Sequence, residues 1–151
     1  MNKVLKFFFF LHNLINSKNR FIRNFSFVFM IPYRIINLLY GSTISPGTKF
    51  NGPLILPHGF HGVFTSKNAV IGSNVTIFHQ VTIGSILSEG SKNIGSPVIG
   101  DNVLIGVGAK VLGNVKVGHH VRIGANSVVV NDVPDYSTVI GVPAIIINKK
   151  L

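Results

Sequence analysis

The sequence predicts an all-β solenoid, a stack of short strands joined by sharp turns, with a short α-helical segment before it. Ile or Val recurs every six residues from residue 71 onward, and Gly often follows it. Residues 1–41 lack this period and combine apolar clusters with cations. Of the 151 residues, 46% are hydrophobic and 12% are charged. This composition provides ample core for one folded domain and argues against disorder.

The N-terminal segment, residues 1–41, contains the apolar clusters VLKFFFFL, FSFVFMI and IINLLY between polar and basic breaks. We expect two or three short helices here. Pro32 suits the first turn of a helix that ends near Gly41. The apolar side of that helix is expected to be Ile35, Ile36, Leu39 and Tyr40.

The charge of the chain is strongly basic and unevenly placed. The net charge is +10, six cations lie in residues 1–41, and residues 1–88 contain no acid. Two interpretations of the N-terminal segment stay open: it caps the main domain, or it lies on an anionic membrane surface. No stretch approaches the ~20 apolar residues that span a bilayer. We therefore expect a cytoplasmic protein, with association at the inner membrane face left open. No nucleic-acid motif accompanies the charge, so no nucleic-acid partner is expected.

A period of six residues sets the main domain. It matches neither an α-helix nor an uninterrupted strand, and it fits strands of about five residues joined by turns. Gly occupies the second position of six of nine hexads, as a tight corner requires. Weaker units begin at Ile44, Phe50 and Leu56. The first positions, which we expect to point inward, are Ile71, Ile77, Ile83, Ile99, Ile105, Val111, Val117, Ile123 and Val129.

One stretch interrupts the repeat. Residues 87–98, LSEGSKNIGSPV, are rich in Ser and Gly and predict a loop excluded from the coil. The chain contains no Cys, so disulfides and thiolate metal sites are excluded.

The stretches LPHG, FHQVTIGS, IGVGAKVLGNVKVG, RIGANSVV and GVPA resemble the hexapeptide-repeat acyltransferases. Within that family they are similar to the serine acetyltransferase branch, and closer still to its relatives in capsular and colanic-acid biosynthesis. The resemblance implies a left-handed parallel β-helix over residues 42–145, with a tail at 146–151. It also implies a homotrimer with active sites between subunits.

The resemblance implies an acetyl-CoA-dependent O-acetyltransferase that acts on a sugar hydroxyl of a surface polysaccharide or its precursor. The acceptor would be a saccharide, a sugar nucleotide or a lipid-linked glycan. One alternative is serine O-acetyltransferase. Against it, Thr43 stands where that branch has Asp, and Ser96 stands where it has His before Pro97. An alternative from another class is a non-catalytic solenoid that serves as a scaffold or docks on membranes.

Two histidines are the catalytic candidates. By resemblance, His58 is the general base, since an imidazole titrates near working pH and can deprotonate a hydroxyl. Counting hexads from Leu56 and Ile77 puts His58 and His79 at the same position. If Gly62–Phe64 is a three-residue bulge, they stack on neighbouring coils about 4.8 Å apart. A solvent-facing polar role for His79 stays open.

The remaining histidines, His61, His119 and His120, are expected at the surface. No metal is expected, because the H-x4-H pair of solenoid carbonic anhydrases is absent. The resemblance assigns the acetyl-CoA site to small residues at the corners and to two cations for the phosphates. These residues are Gly84, Ser85, Gly108, Ala109, Lys110, Arg122, Gly124 and Ala125.

Overall fold

A computed structural model describes residues 3–149. Three helices come first: α1 (Lys3–Ile15), α2 (Arg20–Asn24) and α3 (Ser26–Leu39). Short strands occupy the rest of the described chain. They are β1 (Thr43–Ile44), β2 (Lys49–Phe50), β3 (Leu54–Ile55), β4 (Pro57–Phe60), β5 (Phe64–Thr65), β6 (Val70–Ile71), β7 (Val75–Ile77), β8 (Thr82–Gly84), β9 (Val98–Ile99), β10 (Leu104–Ile105), β11 (Lys110–Leu112), β12 (Lys116–Val117), β13 (Arg122–Ile123), β14 (Val128–Val129), β15 (Ser137–Ile140) and β16 (Ile145–Lys149).

All strands except β4 stack into three sheets that form the faces of a prism. The first sheet has the order β1-β5-β8-β11-β14, the second β2-β6-β9-β12, and the third β3-β7-β10-β13-β15-β16. Every pairing is parallel except that of β15 with β16. Successive strands such as β7, β8 and β9 belong to different sheets. Three strands therefore complete one coil.

The predicted phase of the hexads is confirmed. All nine first positions expose 3% or less of their surface. They also stack on one another, since Ile105 is paired with Ile77 on one side and with Ile123 on the other. Gly106 shows why the next position is often Gly. A Cβ there would lie 2.7 Å from the backbone nitrogen of Ala125.

The first coil contains three extra residues, as the predicted bulge requires. Ile55 pairs with Thr76, 21 residues further on, whereas Thr65 pairs with Ile83, 18 residues further on. The extra residues therefore lie between Ile55 and Thr65, a stretch that overlaps the predicted bulge. Strand β4 lies in this stretch, and it buries the side chain of Phe60 completely.

One face of the helical segment caps the first coil. Helix α1 buries Leu5, Phe8 and Leu11. The ring of Phe8 lies 4.4 Å from that of Tyr33 on α3 and 4.6 Å from that of Phe60, measured between centroids. These contacts join both helices to the bulge. Among the helices of residues 3–149, the longest has 14 residues and none meets the length and hydropathy of a bilayer span.

Helix α3 differs from the prediction in its start and in its buried side. It begins at Ser26, so Pro32 lies inside it rather than in its first turn. Its buried residues are Tyr33, Ile36 and Asn37, whereas two of the expected apolar residues, Ile35 and Leu39, are exposed. Asn37 is buried because its side-chain oxygen accepts a hydrogen bond from the backbone N–H of Ile44 at the start of the first coil. This polar contact and the burial of Tyr33 and Ile36 together give α3 its inward side.

Two predicted boundaries also shift. The loop ends one residue early, because β9 already begins at Val98. Residues 146–149 are not a tail but continue β16, which runs antiparallel to β15. The physical reason is that β15 offers unpaired backbone groups at the edge of its sheet, and the turn at residues 141–144 returns the chain beside it. Residues 150 and 151 of the predicted tail lie outside the described residues.

Candidate active site

His58 and His79 meet at one corner of the prism. His58 lies on β4, and His79 follows β7 by two residues. The pairing of Leu54 with Val75 and of Ile55 with Thr76 has an offset of 21 residues, which also separates the two histidines. Their ring centroids lie 5.4 Å apart with the planes nearly perpendicular. The stacking on neighbouring coils that the sequence predicts is therefore present.

The exposed His58 opens onto a cavity of about 480 Å³ at the junction of the helices and the first coil. The cavity is lined by Leu5, Tyr40, Leu56, Pro57, His58, Gly59 and His61. Tyr40, directly after α3, stacks on Phe60 and has its centroid 4.5 Å from that of His61. The helical segment thus supplies one wall of the cavity.

Sequence reasoning missed the position of His61. It is exposed, as expected, but it belongs to the wall of the His58 cavity. The spacing gave no signal for it, because regular strand alternation would put His58 and His61, three residues apart, on opposite sides. Gly59 breaks this alternation with a φ of +69°.

His79 has a feature that packing does not explain. Its Nδ1 atom is buried and has no hydrogen-bond partner among the described residues. A buried polar atom without a partner costs about 1–3 kcal/mol, and such atoms call for an explanation such as catalysis or binding. The orphaned nitrogen therefore supports a role for His79 beyond filling space.

No carboxylate side chain of the described chain lines the cavity beside His58. The His58 ring contacts the rings of Phe78 and His79, at centroid distances of 5.8 and 5.4 Å. The first acid in the chain is Glu89, in the predicted loop, and no acid lines the cavity. Within residues 3–149, no three His, Cys, Asp or Glu side chains are grouped as a metal site would require.

Small residues in the next two coils lie at the same corner of the prism. The backbone N–H of Gly108 donates a hydrogen bond to the carbonyl of His79, at 3.1 Å. In the next coil the N–H of Asn126, directly after Gly124 and Ala125, donates to Val107 at 2.8 Å. The histidine pair and these small residues therefore form one edge of the prism.

The two candidate cations flank this edge. The Lys110 ammonium donates a hydrogen bond to the carbonyl of Gly108. Arg122 is exposed on β13, the strand that leads into the corner at Gly124. Ala109 is completely buried, so its side chain belongs to the core and only its backbone can reach a ligand.

Gly84 and Ser85 lie elsewhere. They follow Ile83 at the far end of β8, at the corner between the first and second sheets. The Ser85 hydroxyl is 2.6 Å from that of Ser96 across the base of the loop. A single chain therefore places six of the eight expected cofactor residues along the histidine corner and these two at another corner.

Comparisons with known proteins agree with this geometry. A family profile described as bacterial transferase hexapeptide (six repeats) matches residues 96–131. Serine acetyltransferase of Staphylococcus aureus strain Mu50 is 47% identical over 116 residues, which cover 77% of this chain and 53% of that protein. The serine acetyltransferase of Staphylococcus xylosus is 46% identical over 116 residues, with 77% and 52% covered. The chain thus spans about half the length of the curated relatives it matches.

Solved structures give the same result. The crystal structure of Neisseria gonorrhoeae serine acetyltransferase aligns with a TM-score of 0.80 and 34% identity, over 97% of this chain and 53% of that one. A serine acetyltransferase solved in complex with CoA aligns with a TM-score of 0.75 and 33% identity, over 93% and 53%. With the parallel stacking of the coils, these likenesses confirm a left-handed parallel β-helix preceded by short helices. The names of these relatives agree better with serine, the alternative acceptor, than with the sugar hydroxyl expected first.

Proposed function

Because the chain belongs to the hexapeptide-repeat acyltransferases, in their serine acetyltransferase-like branch, we propose that it transfers an acetyl group from acetyl-CoA to a hydroxyl. The observation that carries this proposal is the pair of imidazoles, 5.4 Å apart, at the edge formed by the small-residue corners. A thioester placed along that edge lies beside a base that can activate an alcohol.

His58 acts as the general base in this reaction. Its imidazole removes the proton of the acceptor hydroxyl while the oxygen attacks the acetyl carbonyl carbon. The tetrahedral intermediate then collapses, the C–S bond breaks, and the imidazolium returns its proton to the departing thiolate. A base of this kind contributes roughly 10²–10⁴ in rate. The exposure of His58 and its open cavity leave room for an acceptor.

His79 positions the acceptor or the reacting oxygen from the neighbouring coil. Its Nδ1 is buried without a partner in the described chain, but the ring as a whole is only half-buried and contacts that of His58, so its accessible part faces an acceptor held beside His58. The two histidines follow the paired strands β3 and β7, His58 by three residues and His79 by two. The register of these strands therefore fixes which corners of the stacked coils carry the two rings.

Acetyl-CoA binds along the same edge. Gly108, Gly124 and the backbone of Ala109 let the pantetheine arm approach closely, while Lys110 and Arg122 attract the phosphates. Gly84 and Ser85 lie at the end of β8, at a different corner of the prism. Within one chain they therefore cannot line this edge. We propose a homotrimer in which a neighbouring subunit brings these two residues, and the loop beside them, to the cavity. A cytoplasmic location follows from the need for acetyl-CoA.

Serine is the acceptor that the comparisons favour, because the relatives described above are named for it. A second candidate, a sugar hydroxyl, is favoured by one observation: within a single chain the cavity has no acid in its lining, and in the proposed trimer Glu89 of the neighbouring subunit's loop is the one acid that would be added. Serine carries an ammonium group that needs an anionic or acceptor-rich site, whereas a neutral saccharide does not. Thr43 and Ser96 stand where the serine-specific branch has Asp and His, as the sequence comparison of motifs indicates.

Thiol release from acetyl-CoA tests the proposal. The full chain is assayed with serine, and in parallel with a panel of neutral and amino sugars, sugar nucleotides and oligosaccharides. Turnover with serine alone supports the first acceptor, and turnover with saccharides alone supports the second. A chain that neither binds CoA in calorimetry nor releases thiol with any acceptor is not an acetyltransferase. The non-catalytic scaffold would then be the better assignment.

A further inference from the structure

The outward side of α3 is a continuous apolar stripe. Phe27, Ile31, Ile35 and Leu38 expose 65%, 63%, 51% and 79% of their surface. At about 100° per residue, they fall within an arc of about 80° on the helix. The buried Tyr33 lies on the opposite side. We call these four exposed residues the α3 stripe.

One cation lies at the edge of this surface, and the three helices contain no acid. Arg34 is exposed between Ile31 and Leu38, on the edge of the stripe. Helix α1 also exposes Lys3 and Lys6. No acid precedes Glu89 anywhere in the sequence. The helical segment therefore combines exposed apolar area with uncompensated positive charge.

We propose that the α3 stripe docks on an anionic lipid surface, with α3 lying in the plane of the headgroups. Amphipathic helices bind this way when apolar side chains insert at the acyl boundary while cations pair with lipid phosphates. A second copy of the chain is a poorer occupant, since it would bring Arg34 against an equally basic face without an acid to pair with. An anionic bilayer satisfies both the apolar side chains and the charge.

Docking has a consequence for the candidate site. Leu38 and Leu39 are 79% and 74% exposed at the end of α3, and Tyr40 directly after them lines the His58 cavity. A docked α3 therefore holds this cavity close to the headgroups, where an acceptor carried by a lipid would be within reach. This consequence rests on the proposed acetyl transfer, whereas the docking itself does not.

Cosedimentation with vesicles tests the docking without acetyl-CoA. The full chain is mixed with vesicles of phosphatidylcholine alone, or of phosphatidylcholine with phosphatidylglycerol. We expect binding to the phosphatidylglycerol vesicles that weakens at high salt, and much weaker binding to phosphatidylcholine. Since no acetyl transfer is measured, failure here is distinct from failure of the enzymatic proposal.

Paired variants assign the surface. Leu38→Gln together with Ile31→Gln should reduce vesicle affinity at least tenfold. Val142→Gln, at a Val that is 72% exposed after β15, at the opposite end of the solenoid, should leave it unchanged. Arg34→Gln should reduce the affinity about fivefold, as expected for one cation worth ~1 kcal/mol near an anionic surface. Lys116→Gln, at an exposed cation of β12, is its control.

Three results would overturn the proposal. One is the absence of binding to phosphatidylglycerol vesicles at low salt. Another is equal loss of vesicle affinity in the Leu38 and Val142 variants. The third is a change of oligomeric state, seen by sedimentation velocity when Ile31 and Leu38 are replaced, in a chain that binds no vesicles. That last result would mean that the α3 stripe packs against a second copy of the chain. Circular dichroism of each variant checks folding, and the Arg34 variant and the salt dependence keep the test decisive if the double variant unfolds.

Discussion

The Nδ1 atom of the buried His12 lies 3.0 Å from the hydroxyl of Tyr33. On the other side of the ring, Nε2–H donates a hydrogen bond to the carbonyl of Thr48, also at 3.0 Å. The Tyr33 hydroxyl is in turn 3.1 Å from the carbonyl of Ile44. One imidazole therefore links α1 to α3 and to the first coil, within an aromatic cluster that has no acid near it in the sequence.

This link predicts a loss of stability in mild acid. Burial holds the pKa of His12 below its usual value of 6.5, so the unfolded chain binds a proton more readily than the folded one. The free energy of unfolding must then fall as the pH falls below about 6.5. Urea unfolding at pH 7.5 and 5.5 measures the change. His12→Gln, which keeps an amide donor for Thr48, should show a smaller change over this interval. An identical pH response in both proteins would contradict the prediction.

Replacing His58 should remove catalysis and leave the fold intact. We expect His58→Ala to lower kcat at least ~10²-fold, because a general base acts on the barrier. His58 is exposed, so the unfolding midpoint should change little. His119→Ala is the control, since His119 is also exposed, with 53% of its side chain accessible, and lies at another corner of the prism. Near-normal turnover of the His58 variant in the thiol-release assay would exclude its role.

Because the first position of each hexad points inward, an acidic substitution should cost very different amounts of stability at two adjacent residues of β10. Ile105→Asp places an unpaired charge at a position with no exposure, and should cost about 4 kcal/mol or more. Leu104→Asp, at a neighbour that is 37% exposed, should cost about 1 kcal/mol or less. Urea unfolding of the two variants measures the difference. Similar costs would show that the inward phase is wrong.

Gly108 predicts a preference among substitutions. Its φ is +68°, and Gln80 and Asn126, which occupy the same corner in the coils on either side, adopt +60° and +55°. Asn tolerates this left-handed conformation, whereas a β-branched residue does not. Gly108→Val should therefore lower the free energy of unfolding by about 1–2 kcal/mol, and Gly108→Asn by clearly less. Equal costs for both variants would show that side-chain crowding, rather than backbone strain, selects glycine.

Part of the candidate site followed from the repeat together with one assumed bulge. Counting hexads from Leu56 and Ile77, with a three-residue bulge at Gly62–Phe64, predicted that His58 and His79 share a corner, because every coil of such a solenoid repeats the position of the one below. The same counting could not place Gly84 and Ser85, since their distance from the histidine corner depends on which sheet each strand joins. Nor could it place Tyr40 and His61 in the cavity wall, because that wall is made where the helical segment meets the first coil.

The amino-acid sequence by itself determined the solenoid and its inward residues, because a strict period leaves one way to bury every first position at once. The register of the histidine pair also depended on three extra residues, which the strand pairing places between Ile55 and Thr65. The tertiary structure decided the features that follow no sequence repeat. It selected the buried side of α3 through Asn37 and Ile44, added β16 to an open sheet edge, and left the α3 stripe outside. These features depend on contacts between distant segments, whose energies cannot be read from local spacing.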